Sequence, residues 1–137
     1  MSGAIHKGSC ACGKVKIEAT GEPLRVGLCH CLTCRKVHAA PFNAFATFAA
    51  ENVRIEGGDL GEFASSERGR RYFCRGCGGL IYSQYDRPEE IELYLGSFDD
   101  TSLWHPTFEL WTIRCEAWMA PVSTVRKRFE RDPPPRN

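Results

Sequence analysis

The chain has 137 residues, with 18 Lys and Arg against 17 Asp and Glu and a formal charge of +1. That length suits one domain with a real hydrophobic core and excludes two ordinary ones, and the balanced charge provides no field to attract nucleic acid or an anionic membrane. The opening residues Met1-Ser2-Gly3-Ala4-Ile5-His6-Lys7 lack the apolar core of a secretory signal, and no later run reaches the ~20 apolar residues of a membrane span, so a soluble, cytoplasmic protein is expected.

Residues 5–9 read as a short strand leading into Gly8-Ser9-Cys10-Ala11-Cys12-Gly13, a tight turn whose glycine can take positive φ while two thiols point the same way. Val15, Ile17 and Ala19 then alternate with Lys14, Lys16 and Glu18, the period of a strand with one wet face. Gly21-Glu22-Pro23 ends it, and residues 24–28 deliver the chain to Cys29-His30-Cys31-Leu32-Thr33-Cys34-Arg35. A brief helical turn is expected over 34–40, stopped by Pro41 because proline disfavours helix at the residue before it. Phe42, Ala44, Ala46 and Phe48 share one face of a strand, Val53 and Ile55 one face of the next, and Gly57-Gly58-Asp59 turns the chain.

Residues 60–64 and 70–73 predict a further pair of strands joined by the polar loop 65–69. Phe73-Cys74-Arg75-Gly76-Cys77-Gly78-Gly79 is a C-x-x-C knuckle, and 80–83 and 91–95 continue the strand pattern around a turn at Asp86-Arg87-Pro88. Trp104, Trp111 and Trp118 fall in the last third, as core or as walls of a binding groove. A terminal helical turn is expected over 126–131. The reading is therefore a single zinc-binding domain over 1–131, followed by a disordered tail over 132–137.

Eight cysteines in a reducing compartment, clustered as C-x-C and C-x-x-C, favour metal over disulfides. The densest group, Cys29, Cys31 and Cys34, lets three sulfurs converge on one ion at the ~2.3 Å that zinc prefers. A structural zinc normally has four protein ligands, whereas a catalytic one keeps a place for water or substrate, so the fourth position decides the function. Its candidates are Cys115, His30, His38, His105, water or a substrate thiol; His30, at an alternating position within the knuckle, is expected to point away from the metal. Closure by Cys115 would make the site purely structural.

Cys10 and Cys12, with Cys74 and Cys77, would form a second, all-thiolate site that ties the first turn to a central hairpin. A site built from Cys29, Cys31 and one distant pair is the other geometric possibility. An open zinc at the trio could bind a thiol as its thiolate or polarise a carbonyl, chemistry suited to making or breaking a carbon-sulfur bond. The rival classes are a zinc-stabilised binding module for a protein or nucleic-acid segment, and a cysteine redox enzyme.

The segments at Cys10-Ala11-Cys12, Cys29 to Arg35 and Phe73 to Gly78, in that order, resemble the glutathione-dependent formaldehyde-activating enzyme family, which includes centromere protein V; the resemblance spans residues 8–118. It implies a mainly β fold of the β-tent type, antiparallel sheets around zinc knuckles, with two zinc ions per chain. By motif, Cys10, Cys12, Cys74 and Cys77 would hold the structural zinc, and Cys29, Cys31 and Cys34 the exposed, catalytic one. The implied activity is that of a carbon-sulfur lyase acting on S-hydroxymethylglutathione, with glutathione as the thiol partner.

Many family members have a histidine shortly before a tryptophan near the C-terminus, where this chain has Glu109-Leu110-Trp111-Thr112, and Glu109 reads most simply as a solvated strand residue. Glutathione carries two carboxylates. Arg35, directly after a ligand, is the candidate to clamp one of them, while Arg68, Arg70 and Arg71 read as a solvated polar face.

Overall fold

The computed structural model describes residues 3–127; the expected tail at 132–137 and residues 128–131 of the expected helical turn lie outside the described residues. Short alternating segments become strands β1 (Ile5–Ser9), β2 (Lys16–Thr20), β3 (Arg25–Cys29), β4 (Asn43–Ala49), β5 (Val53–Glu56), β6 (Leu60–Ala64), β7 (Arg70–Cys74), β8 (Leu80–Gln84), β9 (Glu90–Tyr94), β10 (Phe108–Leu110) and β11 (Arg126–Lys127), with a helix α1 (Leu32–His38). The start of the expected terminal helical turn is therefore strand.

The strands form a three-stranded sheet, β1-β2-β5, and an eight-stranded sheet, β11-β10-β3-β4-β9-β8-β7-β6. The fold is mainly β, as the sequence implies, and antiparallel except that β10 runs parallel to both β3 and β11. Strands of two and three residues are too short to show a period, so β10 and β11 leave no alternation to read.

The wet-faced alternation of β2 buries Val15, Ile17 and Ala19 against Ala46, Phe48, Ile81 and Leu93 of the larger sheet. Each large apolar side chain in this layer contributes roughly 1.5–3 kcal/mol relative to exposure. Gly8 permits a close approach: a Cβ there would lie 2.3 Å from the Ser97 carbonyl oxygen, so only glycine lets β1 bridge to Phe98.

The strand over 43–49 was expected to bury one face, but both are covered. Ala46 and Phe48 face the core, and Asn43, Phe45 and Thr47 are buried on the other side. Cross-strand partners share a side of the sheet. The register therefore aligns Arg25, Thr47, Glu92, Ser83 and Arg71 in one row across β3, β4, β9, β8 and β7. Val26, Ala46, Leu93 and Tyr82 form the next row, and it faces the core.

Helix α1 begins two residues before the expected turn because Cys31 caps it: its sulfur accepts the Cys34 N–H while its own backbone stays extended. The helix ends at Ala39 in the left-handed region, with the Ala39 N–H bonded to the Arg35 and Lys36 carbonyls before Pro41.

Candidate metal centre and cavity

The turn after β1 and the knuckle between β7 and β8 bring Cys10, Cys12, Cys74 and Cys77 together, with all four sulfurs within 4.8 Å of one another. Thiolates at about 2.3 Å around a tetrahedral ion sit about 3.8 Å apart; Cys10 and Cys12 are 3.5 Å apart, and Cys12 and Cys74 3.8 Å. These spacings suit zinc and are far too long for a disulfide. Backbone N–H groups of Val15 and Gly76 point at the Cys10 and Cys74 sulfurs, at 3.4 and 3.3 Å, as thiolate acceptors require. Burial pushes the Cys10 thiol up, but the Val15 N–H and the three partner thiols outweigh it and bring it to about 6.

Cys29 at the end of β3, Cys31 at the helix cap and Cys34 in α1 form the second group, buried, with sulfurs within 4.8 Å of one another. Hydrogen bonds from the Cys29 and then the Cys34 thiol draw Cys31 down to about 3, with the Cys34 N–H and Arg71 assisting against burial, while donating to its partners pushes Cys29 up. Three thiols in one buried space cannot all ionise beside each other, and a divalent cation removes that obstacle. None of Cys115, His30, His38 and His105 joins the trio among the described residues. Cys115 donates to the Glu116 carbonyl at 3.6 Å, and His105 faces the Pro106 carbonyl.

A cavity of about 530 Å³ lies over the trio, a volume in the range of small-molecule sites. Its floor is the row Arg25, Thr47, Glu92, Ser83 and Arg71, and Phe45, Phe108 and Trp111 form an apolar wall. Phe108 lies flat over β3 only because residue 27 is glycine; a Cβ there would fall 2.5 Å from its ring. Trp111 takes a left-handed backbone (φ 53), an uncommon conformation for a bulky residue, at the edge of this wall. Trp104 packs in the core against Phe48 and Phe98, and Trp118 is exposed.

The cations differ from expectation. Arg35 bonds Glu116 at 2.6 Å and the Pro41 carbonyl at 3.2 Å and does not line the cavity. Arg70 is exposed and pairs with Glu62, as a polar face would. Arg71, expected on that same face, is instead 3% exposed and lines the cavity. Its Nε donates to Ser65 Oγ at 3.0 Å, and its two terminal nitrogens reach His38 Nε2 and Cys34 Sγ at 3.5 Å each.

At the rim, Arg25 and Arg87 pair with Glu90, and Arg68 with Asp86, but Arg71 makes no salt bridge to a carboxylate among the described residues. A buried guanidinium needs a countercharge, and the nearest is the thiol trio. A divalent ion held by three thiolates would carry net −1, which Arg71 would offset. The arginine was misread because alternation tells which residues share a face and cannot tell whether that face meets water or a cavity wall.

Glu109 is likewise not solvated but fully buried. Its Oε1 accepts from His30 Nε2 at 2.8 Å, and Oε2 accepts the Val122 and Ser123 N–H groups at 2.9 Å and Arg126 Nε at 3.1 Å. His30 therefore turns away from the trio and clasps the Cys29-His30-Cys31 segment to the strand beside it, helped by its own N–H to the Leu110 carbonyl at 3.0 Å.

Burial pushes Glu109 up, but these donors outweigh it and its carboxyl stays below the usual range. Such a group contributes stability that is present above its unfolded value near 4.3 and lost as pH falls through the lower folded one. Glu109→Ala, which strands His30 and Arg126, should cost about 3 kcal/mol, and Glu109→Gln should flatten the acid limb of stability below about pH 4. Urea unfolding across pH 3–7 measures both; a Glu109→Ala midpoint equal to wild type would refute the clasp.

Fold and site together define a mainly β protein with two cysteine clusters suited to metal, one of them beneath a ligand-sized cavity. Residues 5–114 match the glutathione-dependent formaldehyde-activating enzyme family, and the chain belongs to it. It is 35% identical over 80 residues to "Uncharacterized lyase C29B12.13" of Schizosaccharomyces pombe; the match covers 58% of this chain, and the chain spans 58% of that relative's length. A crystal structure of a Rhodobacter sphaeroides protein superposes with a TM-score of 0.59 at 27% identity, over 71% of this chain and 91% of that one. No helix among the described residues is long and apolar enough to cross a membrane.

Proposed function

We propose that this protein is a zinc-dependent carbon-sulfur lyase that makes or breaks the adduct of a glutathione-type thiol with formaldehyde or another small aldehyde, in the manner of an S-hydroxymethylglutathione synthase. Cys10, Cys12, Cys74 and Cys77 would hold a structural zinc, and Cys29, Cys31 and Cys34 the catalytic one. The observation that carries this reading is the pairing of a three-thiol cluster, with no fourth protein ligand among the described residues, with a cavity of about 530 Å³ directly over it.

When bound there, zinc would supply a Lewis acid that holds a thiol as thiolate below its unperturbed value of about 8.5. The chain's own residues do the rest. The wall of Phe45, Phe108 and Trp111 excludes water from the sulfur, Arg71 offsets the trio's charge, and the Arg25, Arg68 and Arg87 rim offers guanidinium groups to the carboxylates of glutathione. Those three rim arginines already pair with acidic neighbours, so carboxylate binding there means exchange of partners. The reading takes residues 1–131 as one domain in a reducing compartment such as the cytosol, where free thiols persist.

The test is spectroscopic. Cobalt-substituted protein titrated with glutathione should change its d–d bands at millimolar thiol, S-methylglutathione should not, and the zinc form should interconvert formaldehyde and S-hydroxymethylglutathione by NMR. No spectral response at 10-fold higher thiol would leave the trio architectural and favour the binding-module reading.

A further inference from the structure

One acidic residue of the cavity lining has no role in the scheme above. Glu92 sits in the middle of the floor row, between Thr47 and Ser83 on the neighbouring strands, and faces the space over the trio. Its Oε2 is buried and has no hydrogen-bond partner. The other carboxylates of the lining, Glu90 and Asp86, are both engaged by arginines. A buried carboxyl oxygen left without a partner is costly, and the residue that carries it lines a substrate-sized space beside three thiols.

We propose that Glu92 is the proton carrier of this site, taking the proton of an incoming thiol and delivering it to the aldehyde oxygen. The inference rests on the carbon-sulfur reading above. In the forward direction the S–H bond breaks, its electron pair stays on sulfur and the proton moves to Glu92. The sulfur then attacks the carbonyl carbon, an S–C bond forms, the C=O π pair moves to oxygen and that oxygen takes the proton from Glu92. The sum is thiol plus aldehyde giving the hydroxyalkyl thioether, with nothing oxidised or reduced. In reverse, the Glu92 carboxylate removes the hydroxyl proton as the C–S bond breaks and returns it to the departing thiolate.

The surroundings suit that exchange. Burial pushes the Glu92 carboxyl up to about 7, the Cys34 thiolate adds to the rise, and Arg71, the Tyr85 hydroxyl and Arg25 oppose it. Tyr94 and Glu90, each two residues along the same strand, are further titratable neighbours, and Glu90 is held by Arg25 and Arg87. A proton carrier works best when its affinity lies near the working pH. An arriving thiolate also brings a further negative charge beside Glu92, favouring its protonated form at the moment the thiol proton is released.

The experiment is proton counting in the zinc-loaded full chain. Glutathione binding is measured calorimetrically near pH 7.5 in buffers of different ionisation enthalpy. Wild type should release well under half a proton per thiol, because Glu92 retains it, and Glu92→Gln should release close to one; S-methylglutathione, with no thiol proton, should show no difference. Glu92→Gln should also lose at least about 100-fold in kcat for S-hydroxymethylglutathione interconversion, the usual scale of a lost acid-base group, with glutathione Kd within about threefold and an undiminished melting temperature. Glu92→Asp should recover part of the rate. If wild type binds glutathione with proton release and Glu92→Gln matches it in proton count and kcat, the proton role is overturned and the thiol reading survives. If wild type ignores glutathione at 10 mM, the reading of the site fails and takes this inference with it.

Discussion

Cys74→Ser should unfold the domain, or lower its melting temperature by at least about 15 °C, with zinc content falling from two per chain to one or none. Cys74 is 1% exposed and belongs to β7 of the large sheet, while its partners Cys10 and Cys12 follow β1 of the small one, so the four-thiol cluster joins the two layers where Gly8 already brings β1 against Phe98. Structural zinc sites contribute about 10–16 kcal/mol of apparent binding free energy, as large as the whole stability of an ordinary domain. A shift of 1 kcal/mol moves the melting temperature of a chain this size by roughly 3–6 °C, so even partial loss of the site is large.

Cys115→Ser is the control. It is half-buried, and its thiol bonds the carbonyl of its neighbour Glu116, so its change should stay within about 0.5 kcal/mol. Circular dichroism melts with metal analysis of both variants decide the matter: a soluble Cys74→Ser protein with a native melting temperature would show that the cluster does not hold the layers together.

Arg71→Met should empty the second site while leaving the fold in place. The guanidinium lies 3.5 Å from Cys34 Sγ in a buried setting, and opposite charges about 4 Å apart at an effective dielectric of about 20 attract by about 4 kcal/mol. Discounting for rearrangement, zinc affinity at the trio should fall by two to three orders of magnitude, since each ~1.4 kcal/mol is tenfold. The fold should survive because methionine fills the space of the arginine stem, and Cys31, the thiol drawn down in the metal-free trio, keeps the hydrogen bonds of the Cys29 and Cys34 thiols and of the Cys34 N–H.

Arg71→Lys keeps the charge but not the fork that reaches Ser65, His38 and Cys34 together, so it should fall between. The measurement is competition for zinc with a chromogenic chelator, which should strip one ion from Arg71→Met at concentrations that leave wild type with two. Retention of both ions by Arg71→Met would mean that the buried arginine serves the fold and not the metal.

Much of the molecule was legible because its signals are local. Alternation over five or so residues marks strands such as β2 and β5, and the C-x-C, C-x-x-C and C-x-C-x-x-C spacings mark thiols that can converge within one turn of chain. The family resemblance rests on those same spacings, and the match over residues 5–114 agrees with it. The misreadings of Arg71 and Glu109 share one cause. Both are charged residues on short strands, and a charge in an alternating segment reads as the face turned to water.

The sequence by itself determined that this would be a mainly β chain with two separate groups of thiols, because both properties are written in neighbouring residues. Only the tertiary structure decided what surrounds the second group. Register across five strands lines up Arg25, Thr47, Glu92, Ser83 and Arg71 beneath the cavity, and parallel pairing of β10 brings Glu109 to His30 from 79 residues away. Such placements depend on which strand lies beside which, and pairing between distant segments is fixed by the packing of the whole sheet, not by the residues that end up facing each other.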